Sequence, residues 1–146
     1  MNNLQNIYAE YEKKNFAKKL GVDKHIKMQN ILITDNKEAG DPEIIKEIKK
    51  HPELYSFFSD DTKTEVPIAG FLNGKFVSRR IDRLKIDHKK KHIDIIDYKT
   101  DTEKNEYIDL YFNQINEYKE LFRNLYPEYT ISGYILWLHD FNLQKI

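Results

Sequence analysis

The sequence predicts an α/β fold, a small central mixed β-sheet flanked by helices on both sides, and three observations carry that prediction. Asn73-Gly74 separates two strand-like runs, and both residues tolerate the positive φ of a type I′ hairpin turn. A second turn, Asp87 to Lys91, leads into a third run, His92 to Thr100, so three strands form a meander. A long amphipathic helix then precedes the apolar run Tyr129 to His139, a pattern that returns a buried strand to the sheet after a crossover. With 146 residues, 40% of them hydrophobic, the chain can bury one core, and a single domain over 1–146 is expected, with 1–20 as a helical extension.

Taken in order, Leu4, Ile7, Tyr8, Tyr11, Phe16 and Leu20 stand near helical spacing until Gly21 interrupts them. A second helical pattern follows in GVDKHIKMQNIL, with Val22, His25, Ile26, Gln29 and Ile33 near one side. Asp41-Pro42 reads as an N-cap and first helical residue, opening a short helix that closes before Pro52. Leu54, Tyr55, Phe57 and Phe58 form a core-directed cluster, and SDDTKT is a loop. The first long strand begins near Glu65, with Pro67 arguing for an edge position or a strand start. Asp101 to Asn105 can cap the long helix, Glu106 to Leu125, which ends at Tyr126-Pro127.

The chemistry is concentrated from Phe76 to Thr100. Residues of a strand alternate faces, so Asp97 and Lys99 share one side while Ile96 and Tyr98 take the other. A carboxylate and an ammonium at the end of an Ile-rich strand lose hydration unless something compensates them, and a divalent cation with a phosphate would do so. Asp82 on the preceding strand can supply a second carboxylate, and neighbouring cations are expected to keep both ionised. The plain alternative is a half-buried strand whose acidic residues are merely solvated. The chain has no cysteine, which removes disulfides, thiolate metal sites, a cysteine nucleophile and a cysteine-held iron–sulfur cluster. Oxygen and imidazole ligands remain, favouring Mg2+, with Mn2+ as the alternative.

Net charge is zero, from 24 basic and 24 acidic residues, so global attraction to nucleic acid is absent. Basic residues gather locally instead: Lys75, Arg79, Arg80, Arg83 and Lys85 surround Asp82, while Lys89, Lys90 and Lys91 read as a solvated turn. DNA affinity is then expected to be modest and salt-sensitive, unless a partner delivers the strand. No apolar run approaches a membrane span, and the N-terminal stretch lacks a signal-peptide core, so a soluble, cytoplasmic protein is expected. No GxxxxGK[ST] motif occurs, so no ATP-driven motor is expected in this chain. His51, His88, His92, His139 and Trp137 are assigned surface or packing roles.

The ordered set Gly21-x3-His25, Glu65-Val-Pro-Ile-Ala-Gly70, Ile81-Asp82-Arg83-Leu84, Ile96-Asp97-Tyr98-Lys99-Thr100 and Gln114-x3-Tyr118 resembles the RecB/AddA-type nuclease domain of the PD-(D/E)XK superfamily. The resemblance covers about Leu20 to Leu138 and implies a restriction-endonuclease-like core. It implies a DNA nuclease and hydrolase, more an exonuclease than an endonuclease, acting at single-stranded DNA ends in double-strand-break repair with a helicase partner. By the same resemblance, His25, Asp82, Asp97 and the Tyr98 backbone carbonyl would hold the metal. Glu65, Asp82, Asp97 and Lys99 would be catalytic, with Lys99 orienting the attacking water and stabilising the phosphate. Gln114, Tyr118 and Arg83 would bind substrate or support the site. One departure stands nearby: Arg79 replaces a common glycine, and by alternation it is expected on the strand face opposite Asp82. The competing class is a catalytically silent DNA-binding or complex-assembly module of the same fold.

Overall fold

The computed structural model describes residues 23–100 and 104–146, with side chains from 107 onward in the second segment, together with Ile7 and Ala9. The helix expected from Leu4 to Leu20 and the cap expected from Asp101 therefore lie outside the described residues, those two positions apart. Helical residues 23–29 form α1, followed by a small ribbon of β1, Leu32–Ile33, and β2, Glu38–Ala39. Helix α2, Pro42–Ile48, begins as its sequence dictates: Asp41 Oδ1 accepts from the backbone N–H groups of Glu43 and Ile44, with proline in the first turn. A short 3-10 turn, Pro52–Phe57, leads to the main sheet.

That sheet has five strands in the order β3, Thr62–Leu72; β4, Lys75–Asp87; β5, His92–Lys99; β6, Thr130–Trp137; and β7, Asn142–Lys145. The pairing is antiparallel except between β5 and β6, which run parallel because α3, Lys104–Leu125, crosses between them. Asn73 and Gly74, with φ of 50° and 77°, make the tight β3–β4 turn. Pro67 lies in β3, at one edge of the sheet.

Helices cover both faces of the sheet. On one, Met28, Ile44, Ile45, Ile48, Leu54 and Phe58 pack with Ile96, Tyr98, Leu136 and Leu138. On the other, Ile115, Tyr118, Leu121 and Phe122 of α3 pack on Ile81, Ile93, Ile95, Ile135 and Trp137. Gly133 makes that approach possible, since a Cβ there would stand 2.3 Å from Ile115 Cγ2. No helix among the described residues is long and apolar enough to cross a membrane.

Four local expectations are corrected. Thr62 to Thr64, expected in a loop, already belong to β3, because they pair with Lys85 to Arg83 of β4. The helix carrying His25 stops before Leu32, and Met28 rather than Ile26 is its core contact, because Leu32 and Ile33 leave to form β1. Tyr55 turns outward while Leu54, Phe57 and Phe58 stay inside. The final strand β7, unanticipated, covers β6 with Leu143 against the core.

Candidate active site

The site lies where β3, β4 and β5 lose their regular pairing together. Thr64 pairs with Arg83 and Val66 with Ile81, so Glu65 and Asp82 face each other at an unpaired step. The β4–β5 ladder has Arg83–Ile96 as its pair nearest this step, and the next residues in register are Asp82 and Asp97. Three carboxylates thus stand in one row across three neighbouring strands. Glu65 has a φ of 52°, a left-handed backbone that costs a glutamate about 1 kcal/mol or more.

The break also reverses the facing of β4. Ile81 and Leu84 both pack in the α3 core, although simple alternation would put them on opposite faces. Arg79 lies on the α3 side, where its guanidinium reaches Glu117 at 3.3 Å. Arg83 goes the other way into the core beneath α1, donating to Tyr98 Oη at 2.7 Å and to the carbonyls of Met28 and Ile31. Of the predicted site residues, it is the one whose head group is carried away from the row.

Asp82 replaces the missing ladder bond, its Oδ2 accepting from the Tyr98 N–H at 2.7 Å. His25 of α1 brings Nδ1 to 4.0 Å from the same oxygen. Asp97 is nearly enclosed, and Lys99 Nζ stands 2.8 Å from its Oδ2. The approach is that of an ion pair without hydrogen-bond alignment, leaving Oδ2 buried and unsatisfied. Lys99 donates to Gln114 Oε1 at 3.0 Å, Gln114 Nε2 donates to Tyr118 Oη at 2.8 Å, and Tyr118 Oη reaches the Arg80 carbonyl at 3.4 Å. The one-turn spacing of Gln114 and Tyr118 on α3 makes this relay possible.

Burial, reinforced by the charge of Asp97, pushes Asp82 up to about 8. The expected ionisation of both carboxylates therefore fails at Asp82, because the arginines meant to hold it charged point elsewhere. Arg79 is engaged by Glu117, Arg80 by Glu65 at 3.6 Å, and Arg83 by the opposite core. Burial likewise lowers His25, which favours its neutral, metal-competent imidazole; the Asp97 carboxylate and the Tyr98 backbone act against that shift.

Whether these residues fit a divalent cation can be tested on their own geometry. Among the described residues, no group of three His, Asp or Glu side chains already encloses one metal position. The donor chemistry nevertheless fits: Asp97 presents a buried oxygen that is ion-paired to Lys99 but accepts no hydrogen bond, Asp82 lies beside it with its ionisation suppressed, and a neutral imidazole adjoins them. One residue of the site, Tyr111, went unread in the sequence, and Arg80, read there as a cation beside Asp82, pairs with Glu65 instead. Tyr111 places its ring 4.3 Å from Lys99 Nζ. Tyr111 precedes Gln114 by one turn, so its position on α3 was the available signal.

Fold and site together define an α/β protein with a buried carboxylate pair and a buttressed lysine at a break in its mixed sheet. Neither protein-family models nor curated proteins provide a match to the chain.

Proposed function

We propose that the chain is a divalent-metal-dependent deoxyribonuclease of the RecB/AddA type, with a restriction-endonuclease-like core. On this reading it hydrolyses phosphodiester bonds at single-stranded DNA ends during recombinational repair, alongside a helicase. The observation that carries the proposal is convergence: His25, Glu65, Asp82, Asp97, Lys99, Gln114 and Tyr118, widely separated in sequence, gather around one buried carboxylate with an unsatisfied oxygen.

Asp82, Asp97, His25 and the Tyr98 carbonyl would hold Mg2+ or Mn2+. When bound, the cation supplies Lewis-acid stabilisation of the charge that builds on the phosphate. Lys99 then orients the attacking water and faces the developing oxyanion with its ammonium. Gln114 and the Tyr111 ring fix the Lys99 head group, and Tyr118 braces Gln114. Glu65, 3.6 Å from Arg80, is placed to position water or metal once that pair opens. The rival reading, a silent DNA-binding or assembly module, is favoured by the absence of a preformed three-ligand cage among the described residues.

The deciding experiment is cleavage of end-labelled single- and double-stranded DNA in Mg2+, Mn2+ or EDTA by wild type, Asp97→Ala and Lys99→Ala. Cation-dependent cutting that falls at least about a hundredfold in both variants supports the nuclease. A folded wild type that neither cuts DNA nor gains thermal stability from Mn2+ points to the silent module.

A further inference from the structure

We infer that the outer face of the β3–β4 hairpin is a binding track for single-stranded DNA, leading the strand to the carboxylate row; the assignment of DNA rests on the nuclease reading. From Val66 to Leu72, alternate residues of β3 turn Val66, Ile68 and Leu72 toward the α3 core. Their neighbours Pro67, Ala69 and Phe71 share the other face with Phe76, Ser78 and Arg80, and all six are exposed. The core beneath α1 and α2 includes none of them.

Phe71 and Phe76 are direct cross-strand partners, with ring centroids 5.6 Å apart and planes inclined at 67°. Their exposures, 68% and 65%, exceed those of every other large hydrophobic residue described, so most of each ring is open to water. A cross-strand pair can staple a hairpin, but stapling does not require so much ring surface to remain uncovered. Between these rings and the site lie only small side chains, Ala69 and Ser78, and Pro67 before Arg80 is reached.

Charge selects the occupant. Residues 66–81 contain no acidic residue, in a chain whose net charge is zero, and Arg80 is the cation on the outer face; Lys75 and Arg79 pair with Leu72 and Ile68 and so share the α3 side, where Arg79 meets Glu117. A polyanion carrying flat apolar bases suits a face that offers two open aromatic rings and a guanidinium, the combination by which single strands are bound without sequence preference. Edge pairing with another copy of the chain is disfavoured, because Pro67 lacks a donor and Glu65 is left-handed. The ribbon is also continuous with the site: Phe71 lies six residues beyond Glu65 on β3, about 20 Å of strand, and Arg80 contacts Glu65.

The test is anisotropy of a labelled thymidine oligonucleotide of about twelve residues, bound by the full chain in EDTA so that no cutting intervenes. The comparison uses the double variant Phe71→Leu/Phe76→Leu, which keeps apolar bulk while removing both rings, and Arg80→Gln. The expected results are about tenfold or greater weakening in the double variant and a shallower salt dependence, by about 0.7, in Arg80→Gln. Equal binding by wild type and the double leucine variant would overturn the inference. So would undetectable wild-type binding, or a wild-type dimer that the leucine substitutions dissociate. Hydrolysis of bis-nitrophenyl phosphate, too small to span the ribbon, separates this result from the fate of the nuclease reading. Cation-dependent hydrolysis with ring-independent oligonucleotide binding rejects the track alone, whereas ring-dependent binding without hydrolysis supports the track and rejects the nuclease.

Discussion

Arg83 and Asp97 are both charged and both buried, at 2% and 4% exposure, yet the protein treats them in opposite ways. Every nitrogen of the Arg83 guanidinium has an acceptor, Tyr98 Oη, Thr62 Oγ1 and the Met28 carbonyl among them, and the group lies over the Phe58 ring at 4.5 Å. Asp97 keeps an oxygen without a hydrogen bond, and its neighbour Asp82 is a second acid that Asp97 itself helps to hold protonated. Saturation makes Arg83 a tie between the sheet and the α1 layer. Incomplete satisfaction makes Asp97 receptive to a cation.

The sharpest way to break that contrast is to remove each charge and follow urea unfolding. Arg83→Met strands three carbonyls and two hydroxyls that the guanidinium now satisfies, and is expected to cost about 3–5 kcal/mol. Asp97→Asn should stay within about 1 kcal/mol of wild type, because the lost Lys99 ion pair is offset by relief of Asp82. Equal losses in the two variants would erase the distinction.

A second test uses pH. Asp82, raised from an ordinary 3.8 to about 8, binds its proton more tightly in the folded state. Stability of the metal-free protein therefore falls as pH rises from about 4 to about 8 and levels off above that. A cation needs the ionised carboxylate, so its stabilising effect should grow over the upper part of the same window. Thermal melts with and without Mg2+ at about pH 6 and about pH 8.5 should show the larger cation-induced rise at the higher pH. Asp97→Asn should remove most of that rise, while a rise independent of pH would separate Asp82 from cation binding.

The parts of this site that local pattern controls were legible in the sequence. The Asn73-Gly74 turn fixed the β3–β4 register, and the helix between two apolar runs made the β5–β6 pairing parallel. Alternation put Asp97 and Lys99 together, and helical spacing aligned Gln114 with Tyr118. What could not be read was the reversal at Glu65 and Asp82, since a period-two pattern carries no mark of a residue about to adopt positive φ. Counting Arg83 with the cations around Asp82 ignored its own alternation into the opposite core. Strand β7 was missed because Asn142 to Lys145 is short and polar, and its pairing depends on β6 already being present.

Glu65 provides the smallest of these effects and ties backbone to chemistry. If its left-handed conformation is maintained against strain, Glu65→Gly relieves it while removing a carboxylate held by Arg80. The expected gain is up to about 1 kcal/mol, moderated by the freer unfolded chain and by loss of a partly exposed ion pair. Urea midpoints read that gain, and DNA cleavage by the same variant reads the carboxylate. Higher stability with lower cleavage means that the strain positions Glu65 for the site, as backbone outliers at functional positions do. Lower stability would mean that the turn is held in place by the Glu65 side chain itself, and the contrast would then shift: Glu65 would join Arg83 among the ties, leaving Asp82 and Asp97 as the receptive pair.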